Sequence, residues 1–123
     1  MYKLMFILMC LFSLSSFANN LPDITPAKLL ETDTQEWLIL DVRSPEEYAE
    51  GHVPGAINIA HTALASRIDE INAYSDKPVV VYCRSGFRAG KAGDILQQAN
   101  FKDVRHLDGD IMAWKDAGYE MQK

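Results

Sequence analysis

Residues 78–88 read PVVVYCRSGFR, and this stretch decides the class of fold. The run 78–83 is apolar throughout, which is typical of a parallel strand buried on both faces of a sheet. A helix is predicted after it, because Ala92, Leu96 and Ala99 recur at helical spacing. A buried strand that passes into a helix indicates an α/β fold built on a parallel sheet.

The alternation of strands and helices continues along the rest of the chain. Further strands are predicted over residues 37–42, 56–60 and 104–107. Helices are predicted to begin at Thr25-Pro26 and at a capping box over residues 44–47. An amphipathic helix is predicted to carry Leu64, Ile68 and Ile71, and a last helix to contain Ile111 and Trp114. Because binding sites of open parallel sheets form at the carboxyl ends of the strands, Cys83 stands where a functional residue is expected.

Length and charge exclude several classes of protein. The 123 residues are enough for one domain, and the formal net charge of −5 argues against nucleic acid as a partner. Two cysteines and three scattered histidines do not match the spacing of zinc ligands, so neither a metal nor a cofactor is predicted. A monomer is expected for a small domain without an evident exposed apolar patch.

The first 18 residues have the pattern of a secretory signal. Lys3 provides a positive start, an apolar run follows, and Ser16 and Ala18 place small residues where a signal peptidase reads. Cleavage after Ala18 is expected to leave residues 19–123 as the mature domain, without attachment to a membrane. The alternative is a retained membrane anchor, although the run is shorter than the ~20 residues that a spanning helix needs.

Removal of the signal would leave Cys83 as the single cysteine, at the start of the loop Cys83-Arg84-Ser85-Gly86-Phe87-Arg88. Backbone N–H groups of such a turn can converge on the sulfur, and the following helix adds a partial positive charge. With two arginines beside it, the thiolate is favoured over the thiol. The loop therefore predicts a nucleophile in an anion-binding cradle; the alternative is a buried, inert cysteine beside surface arginines.

Three separated motifs resemble those of the rhodanese family. They are Asp41-Val42-Arg43 with Glu47-Tyr48 and residues 51–58 (GHVPGAIN), the Cys83–Arg88 loop, and Leu107-Asp108-Gly109 with Ala113-Trp114 and Ala117-Gly118. They occur in the family's order and span nearly all of the chain after the signal. With the signal, the sequence is most similar to small periplasmic rhodaneses of the phage-shock type, which implies a periplasmic location.

The resemblance implies a fold and a chemistry. The fold is one rhodanese-like domain with a five-stranded parallel sheet and helices on both faces. The chemistry is transfer of sulfane sulfur from thiosulfate to a thiophilic acceptor such as cyanide, through a persulfide on Cys83 and without a cofactor. Substrate binding is expected from the rest of the loop, which comprises Arg84, Ser85, Gly86, Phe87 and Arg88.

Two other functions stay open on the sequence alone. A non-enzymatic carrier of sulfur or anions would use the same loop. A cysteine-dependent phosphatase or arsenate reductase would use the same thiolate, although related phosphatases have a seven-residue loop and the loop from Cys83 to Arg88 has six residues.

Three residues outside the loop carry further expectations. Arg43 is expected to pair with Glu47 and to be structural. Asp110 replaces a glycine usual in the family, and it is interpreted as the N-cap of the last helix with little effect on function. Ala89 replaces a frequent serine, which removes one possible hydrogen bond of the loop.

Overall fold

Five parallel strands form the centre of the structure, a computed structural model that describes residues 21–123. The strands are β1 (Asp23–Ile24), β2 (Leu38–Asp41), β3 (Ile57–Asn58), β4 (Pro78–Tyr82) and β5 (Asp103–Leu107). Their order in the sheet is β1-β5-β4-β2-β3, so the strand that leads to Cys83 is central. The parallel α/β sheet is confirmed, whereas the signal predicted over residues 1–18 lies outside the described residues.

The strand β1 is an element that residue patterns did not predict. It has two residues, Asp23 and Ile24, which pair with His106 and Leu107 of β5. A strand this short has no periodicity to detect, because alternation needs about four residues to become visible. Its effect is to bring Asp23 beside the carboxyl end of β5.

The helices pack on the strands and begin where the sequence indicates. They are α1 (Pro26–Glu31), α2 (Pro45–Glu50), a 3₁₀ helix (Ala65–Tyr74), α3 (Phe87–Gln98) and α4 (Asp110–Asp116). The capping box is confirmed, because the Glu47 N–H donates to Ser44 Oγ at 3.2 Å and the Ser44 N–H donates to Glu47 Oε1 at 3.0 Å. Thr25 caps α1 by accepting the Lys28 N–H at 3.1 Å.

The segment predicted as an amphipathic helix forms a 3₁₀ helix instead. Ile68, Ile71 and Tyr74 are three residues apart, and all three belong to or pack against one core cluster. Residues three apart lie directly above one another in a 3₁₀ helix, whereas an α-helix spreads them around its surface. The tighter winding therefore aligns these side chains along the sheet.

Side chains of the central strands alternate between two core clusters. Val79 and Val81 join α3 and the 3₁₀ helix on one face, while Val80 and Tyr82 join α1 and α4 on the other. Helices on both faces are thus confirmed, and Tyr82 and Trp114 are buried aromatic residues of the core. None of the helices within residues 21–123 has the length and apolar character that a membrane crossing requires.

Candidate active site

Cys83 lies at the carboxyl end of β4, where the chain leaves the sheet for α3. The residue is 1% exposed, which places its thiol at the floor of the loop. Its Sγ accepts hydrogen bonds from the Gly86 N–H at 3.0 Å and the Ala89 N–H at 3.4 Å. The sulfur therefore occupies a cradle of main-chain donors that suits an anionic sulfur.

The sulfur also replaces a side-chain cap at the start of α3. Gly86 is the N-cap residue and offers no side-chain acceptor, so the first N–H groups of this 12-residue helix need another partner. Cys83 Sγ supplies it, and the helix dipole adds a partial positive charge at the same point. Gly86 has φ +120°, a conformation that favours glycine and turns the chain tightly around the sulfur.

The rim of the loop is open to solvent. Arg84, Ser85 and Phe87 are exposed, and Phe87 is the most exposed large apolar residue within residues 21–123, at 75%. The Lys91 ammonium lies 5.1 Å from the centroid of the Phe87 ring. Among the residues that the structure describes, none forms an ion pair with Arg84. An exposed guanidinium at the rim can bind an arriving anion.

Arg88, the other arginine of the loop, is held by α2. Its two terminal nitrogens donate to the Glu47 carboxylate at 2.7 and 3.1 Å, which ties the loop to the helix capped by Ser44. The predicted pair between Arg43 and Glu47 is therefore wrong. Arg43 instead donates to the fully buried Asp41 carboxylate, with a shortest distance of 2.7 Å, because that buried charge requires a partner.

The pair between Glu47 and Arg88 changes the ionisation of both groups. The hydrogen bonds from Arg88 lower the pKa of Glu47 from 4.5 to about 2, with those from Ser44 adding to the effect against partial desolvation. The same pairing raises the pKa of Arg88. Glu47 is therefore ionised at neutral pH, and its carboxylate keeps Arg88 in place.

Glu47→Gln is expected to make the free energy of unfolding less dependent on pH in the acidic range. A carboxyl with a depressed folded-state pKa stabilises the fold above pH 4.5, and that contribution is lost as the pH falls toward about 2. Because the pair is partly exposed, we expect Glu47→Gln to lower the free energy of unfolding by about 1 kcal/mol at neutral pH. The difference from the wild type should vanish near pH 2.

Urea unfolding at a series of pH values measures this effect. Gln preserves the capping box, so the variant tests the charge rather than the cap. Glu46→Gln, which removes an exposed carboxylate from the same helix, is the matched control and should follow the wild-type profile. Parallel pH profiles for Glu47→Gln and the wild type would contradict the prediction.

A buried carboxylate beneath the loop was missed as a site residue. Asp110 is 1% exposed, and its Oδ1 accepts the Cys83 N–H at 3.0 Å. The predicted N-cap role is wrong, because Gly109 is the N-cap and Asp110 is the first residue of α4. Both have left-handed backbone, with φ +77° and φ +59°, which turns the Asp110 carboxylate toward the loop rather than toward the helix N-terminus.

His106 of β5 completes this buried group. Its Nε2 lies 3.0 Å from both carboxylate oxygens of Asp110, and its Nδ1 lies 3.2 Å from Asp23 Oδ1. The hydrogen bond to Asp110 raises the pKa of His106, with desolvation opposing the rise and Asp23 reinforcing it. The sequence feature that could have identified Asp110 as a candidate site residue is its position, at which the family usually has glycine.

Solved structures with the same architecture are rhodanese-like domains. A rhodanese-related protein of Thermoplasma volcanium matches with a TM-score of 0.71 and 30% identity, over 82% of this chain and 97% of that chain. A rhodanese-like domain of an Anabaena protein matches with a TM-score of 0.73 and 28% identity, over 82% and 78% of the two chains. The structural similarity to these two proteins therefore extends over most of the chain rather than over a single motif.

Sequence relatives point to the same family. A sulfurtransferase of Allochromatium vinosum is 38% identical over 86 residues, which cover 70% of this chain and 78% of that protein. Thiosulfate sulfurtransferase GlpE of Shewanella oneidensis is 34% identical over 99 residues, or 80% and 89% of the two chains. These relatives support sulfur transfer as the general chemistry. Since residues 25–117 also match the family model for the rhodanese-like domain, the chain belongs to the rhodanese family.

Proposed function

We propose that this protein is a thiosulfate sulfurtransferase that carries sulfane sulfur on Cys83 as a persulfide. The observation that carries the proposal is the pair of main-chain N–H groups that donate to Cys83 Sγ, at 3.0 and 3.4 Å. Such donors stabilise the thiolate before the reaction, and they can hold the negative charge of the persulfide after it. A cysteine that served only as a core side chain would need no such donors.

In the first half of the reaction, the Cys83 thiolate attacks the outer sulfur of thiosulfate. A sulfur–sulfur bond forms to Sγ, and the bond between the outer sulfur and the sulfonate breaks. Sulfite leaves with the electron pair of that bond, so the protein keeps one sulfur atom and one negative charge. No general acid is needed, because sulfite departs as a stable anion.

In the second half, an acceptor takes the outer sulfur. Cyanide attacks it, thiocyanate leaves, and the Cys83 thiolate is regenerated with its original charge. Two separate half-reactions through one covalent intermediate predict ping-pong kinetics. Cyanide stands here for a class of acceptor, namely a small thiophilic nucleophile.

The two arginines of the loop would bind the sulfonate group of thiosulfate in different ways. Arg84 is exposed and can meet the anion at the rim with charge-assisted hydrogen bonds. Arg88 uses two of its five N–H groups on Glu47, so it would contribute the remaining N–H groups and its charge from a fixed position. The backbone N–H groups of Ser85, Gly86 and Phe87 would line the cradle between them.

We also propose that the protein works in the periplasm as a monomer, after removal of residues 1–18. Support for export comes from the apolar run, its positive start and the small residues Ser16 and Ala18. The unpaired Cys83 fits this setting when it is buried, because burial limits oxidation of a thiol in an oxidising compartment.

Intact-mass measurement of the purified protein tests the chemistry directly. After incubation with thiosulfate, the wild type is expected to gain the mass of one sulfur atom, located at Cys83 by peptide mapping, and to lose it again on addition of cyanide. Cys83→Ser is the matched control and should gain nothing. An unchanged wild-type mass would refute the persulfide. The same spectra of protein from a periplasmic extract would show whether residues 1–18 had been removed.

A further inference from the structure

The backbone of Cys83 is anchored on both sides by the start of α4. Its N–H donates to Asp110 Oδ1 at 3.0 Å, and its carbonyl accepts the Ile111 N–H at 3.1 Å. The sheet could satisfy these groups only if β4 continued, but the strand ends at Tyr82. Asp110 therefore holds the peptide plane from which the side chain of the nucleophile projects.

The geometry around His106 favours a charged imidazole. Both ring nitrogens face carboxylate oxygens, with Nε2 toward Asp110 and Nδ1 toward Asp23. A carboxylate only accepts hydrogen bonds, so both nitrogens must donate, which only the imidazolium can do. A buried aspartate beside Cys83 is thus paired with a positive charge that depends on pH.

The charged groups around this pair are few. Asp23 comes from β1, Asp110 from α4 and Cys83 from the loop after β4, while the preceding residue of β5, Arg105, is paired with Asp103 at 2.8 Å. A cavity of about 250 Å³ lies beside His106 and is lined by Leu21, Gly86, Gly90 and His106. His106 can therefore exchange its proton with water in that cavity, whereas Asp110 is sealed from solvent.

We propose that Asp110 is a positioning residue for Cys83 and that the charge of His106 controls how readily Cys83 ionises. This inference rests on the proposed function, in which Cys83 reacts as a thiolate. With His106 protonated, the pair carries no net charge and Asp110 positions Cys83 without opposing its ionisation. With His106 neutral, the Asp110 carboxylate is uncompensated and repels the thiolate in a low-dielectric site.

Alkylation of Cys83 by iodoacetamide tests the coupling without requiring sulfur transfer. In His106→Gln, residue 106 is neutral at every pH and cannot compensate the Asp110 carboxylate. A nearby like charge typically shifts an ionisation by about one unit or more, so we expect roughly five- to tenfold slower alkylation of His106→Gln at about pH 6.5. At about pH 9.5, above the ordinary pKa of both an imidazole and a thiol, the two rates should agree within about twofold.

The double variant His106→Gln with Asp110→Asn separates an electrostatic role from a merely structural one. Asparagine keeps an acceptor for the Cys83 N–H and tolerates the left-handed backbone of residue 110, but it carries no charge. Removing the carboxylate should therefore restore the alkylation rate at about pH 6.5 to within about threefold of the wild type. Asp108→Asn, an exposed carboxylate in the same turn, is the matched control and should leave the rate unchanged.

Three results would overturn the inference. One is that His106→Gln and the wild type are alkylated at equal rates at about pH 6.5. Another is that the alkylation rate of His106→Gln falls by the same factor at about pH 6.5 and about pH 9.5, which would indicate damaged packing. The third is a double variant that is alkylated no faster than His106→Gln alone. Alkylation needs no thiosulfate, so the two experiments can fail independently. If the alkylation results contradict this inference, the mass test can still detect the persulfide, and if no persulfide forms, the effect of His106 on Cys83 can still be measured by alkylation.

Discussion

Replacing Cys83 with serine is expected to lower thiosulfate:cyanide turnover by about 10⁴-fold or more, to the uncatalysed rate. In the proposed reaction the outer sulfur is carried only by Sγ, and a serine hydroxyl at neutral pH is neither ionised nor thiophilic. The cradle of N–H groups would persist in the variant, since an oxygen can accept from Gly86 as well. Loss of activity with an intact fold would therefore isolate the covalent step from binding.

Initial rates of thiocyanate formation, at several concentrations of both substrates, provide the measurement. The wild type should give the parallel double-reciprocal lines of a ping-pong reaction, and Cys83→Ser should match buffer alone. Thermal unfolding of the variant serves as the control for its fold. Turnover retained by Cys83→Ser would eliminate the scheme, and a wild type that acquires sulfur but shows no turnover would support a carrier instead.

Gly86→Ala is expected to reduce kcat/KM by about 100-fold, because it disturbs the donor closest to the sulfur. Gly86 has φ +120°, which side chains rarely adopt, and an added Cβ would lie 3.4 Å from Asp110 Oδ2. Relief of this strain would rotate the Gly86 N–H away from its 3.0 Å contact with Cys83 Sγ. Stability is expected to fall as well, by about 1–3 kcal/mol.

The control for Gly86→Ala is Gly55→Ala. Gly55 also has a left-handed backbone, with φ +85°, but an added Cβ would meet nothing within 4 Å. This variant should lose stability through backbone strain and keep its kcat/KM within about twofold. Steady-state kinetics with thiosulfate, together with urea unfolding, measure both effects. An active Gly86→Ala enzyme would show that the N–H of residue 86 does not stabilise the reacting sulfur.

Local patterns determined most of the fold. The apolar run 78–83 predicted the central strand, and the pairs Thr25-Pro26 and Ser44 with Glu47 predicted the starts of two helices that the structure confirms. These signals could be detected because strand periodicity and helix capping depend on residues at most a few positions apart. The two-residue strand β1 and the 3₁₀ winding of the segment Ala65–Tyr74 lacked such a signal, since tertiary packing selects both.

The sequence by itself also predicted the nucleophile, because one cysteine at the end of a buried strand, followed by a glycine-containing basic loop, is a local pattern. The partners of that loop were decided only by tertiary structure. Glu47 and Arg88 are 41 positions apart and Cys83 and Asp110 are 27 apart, yet each pair is in hydrogen-bond contact. The physical reason is that a buried or half-buried charge takes whichever opposite charge or donor the packed helices bring within reach, and sequence proximity does not determine that choice.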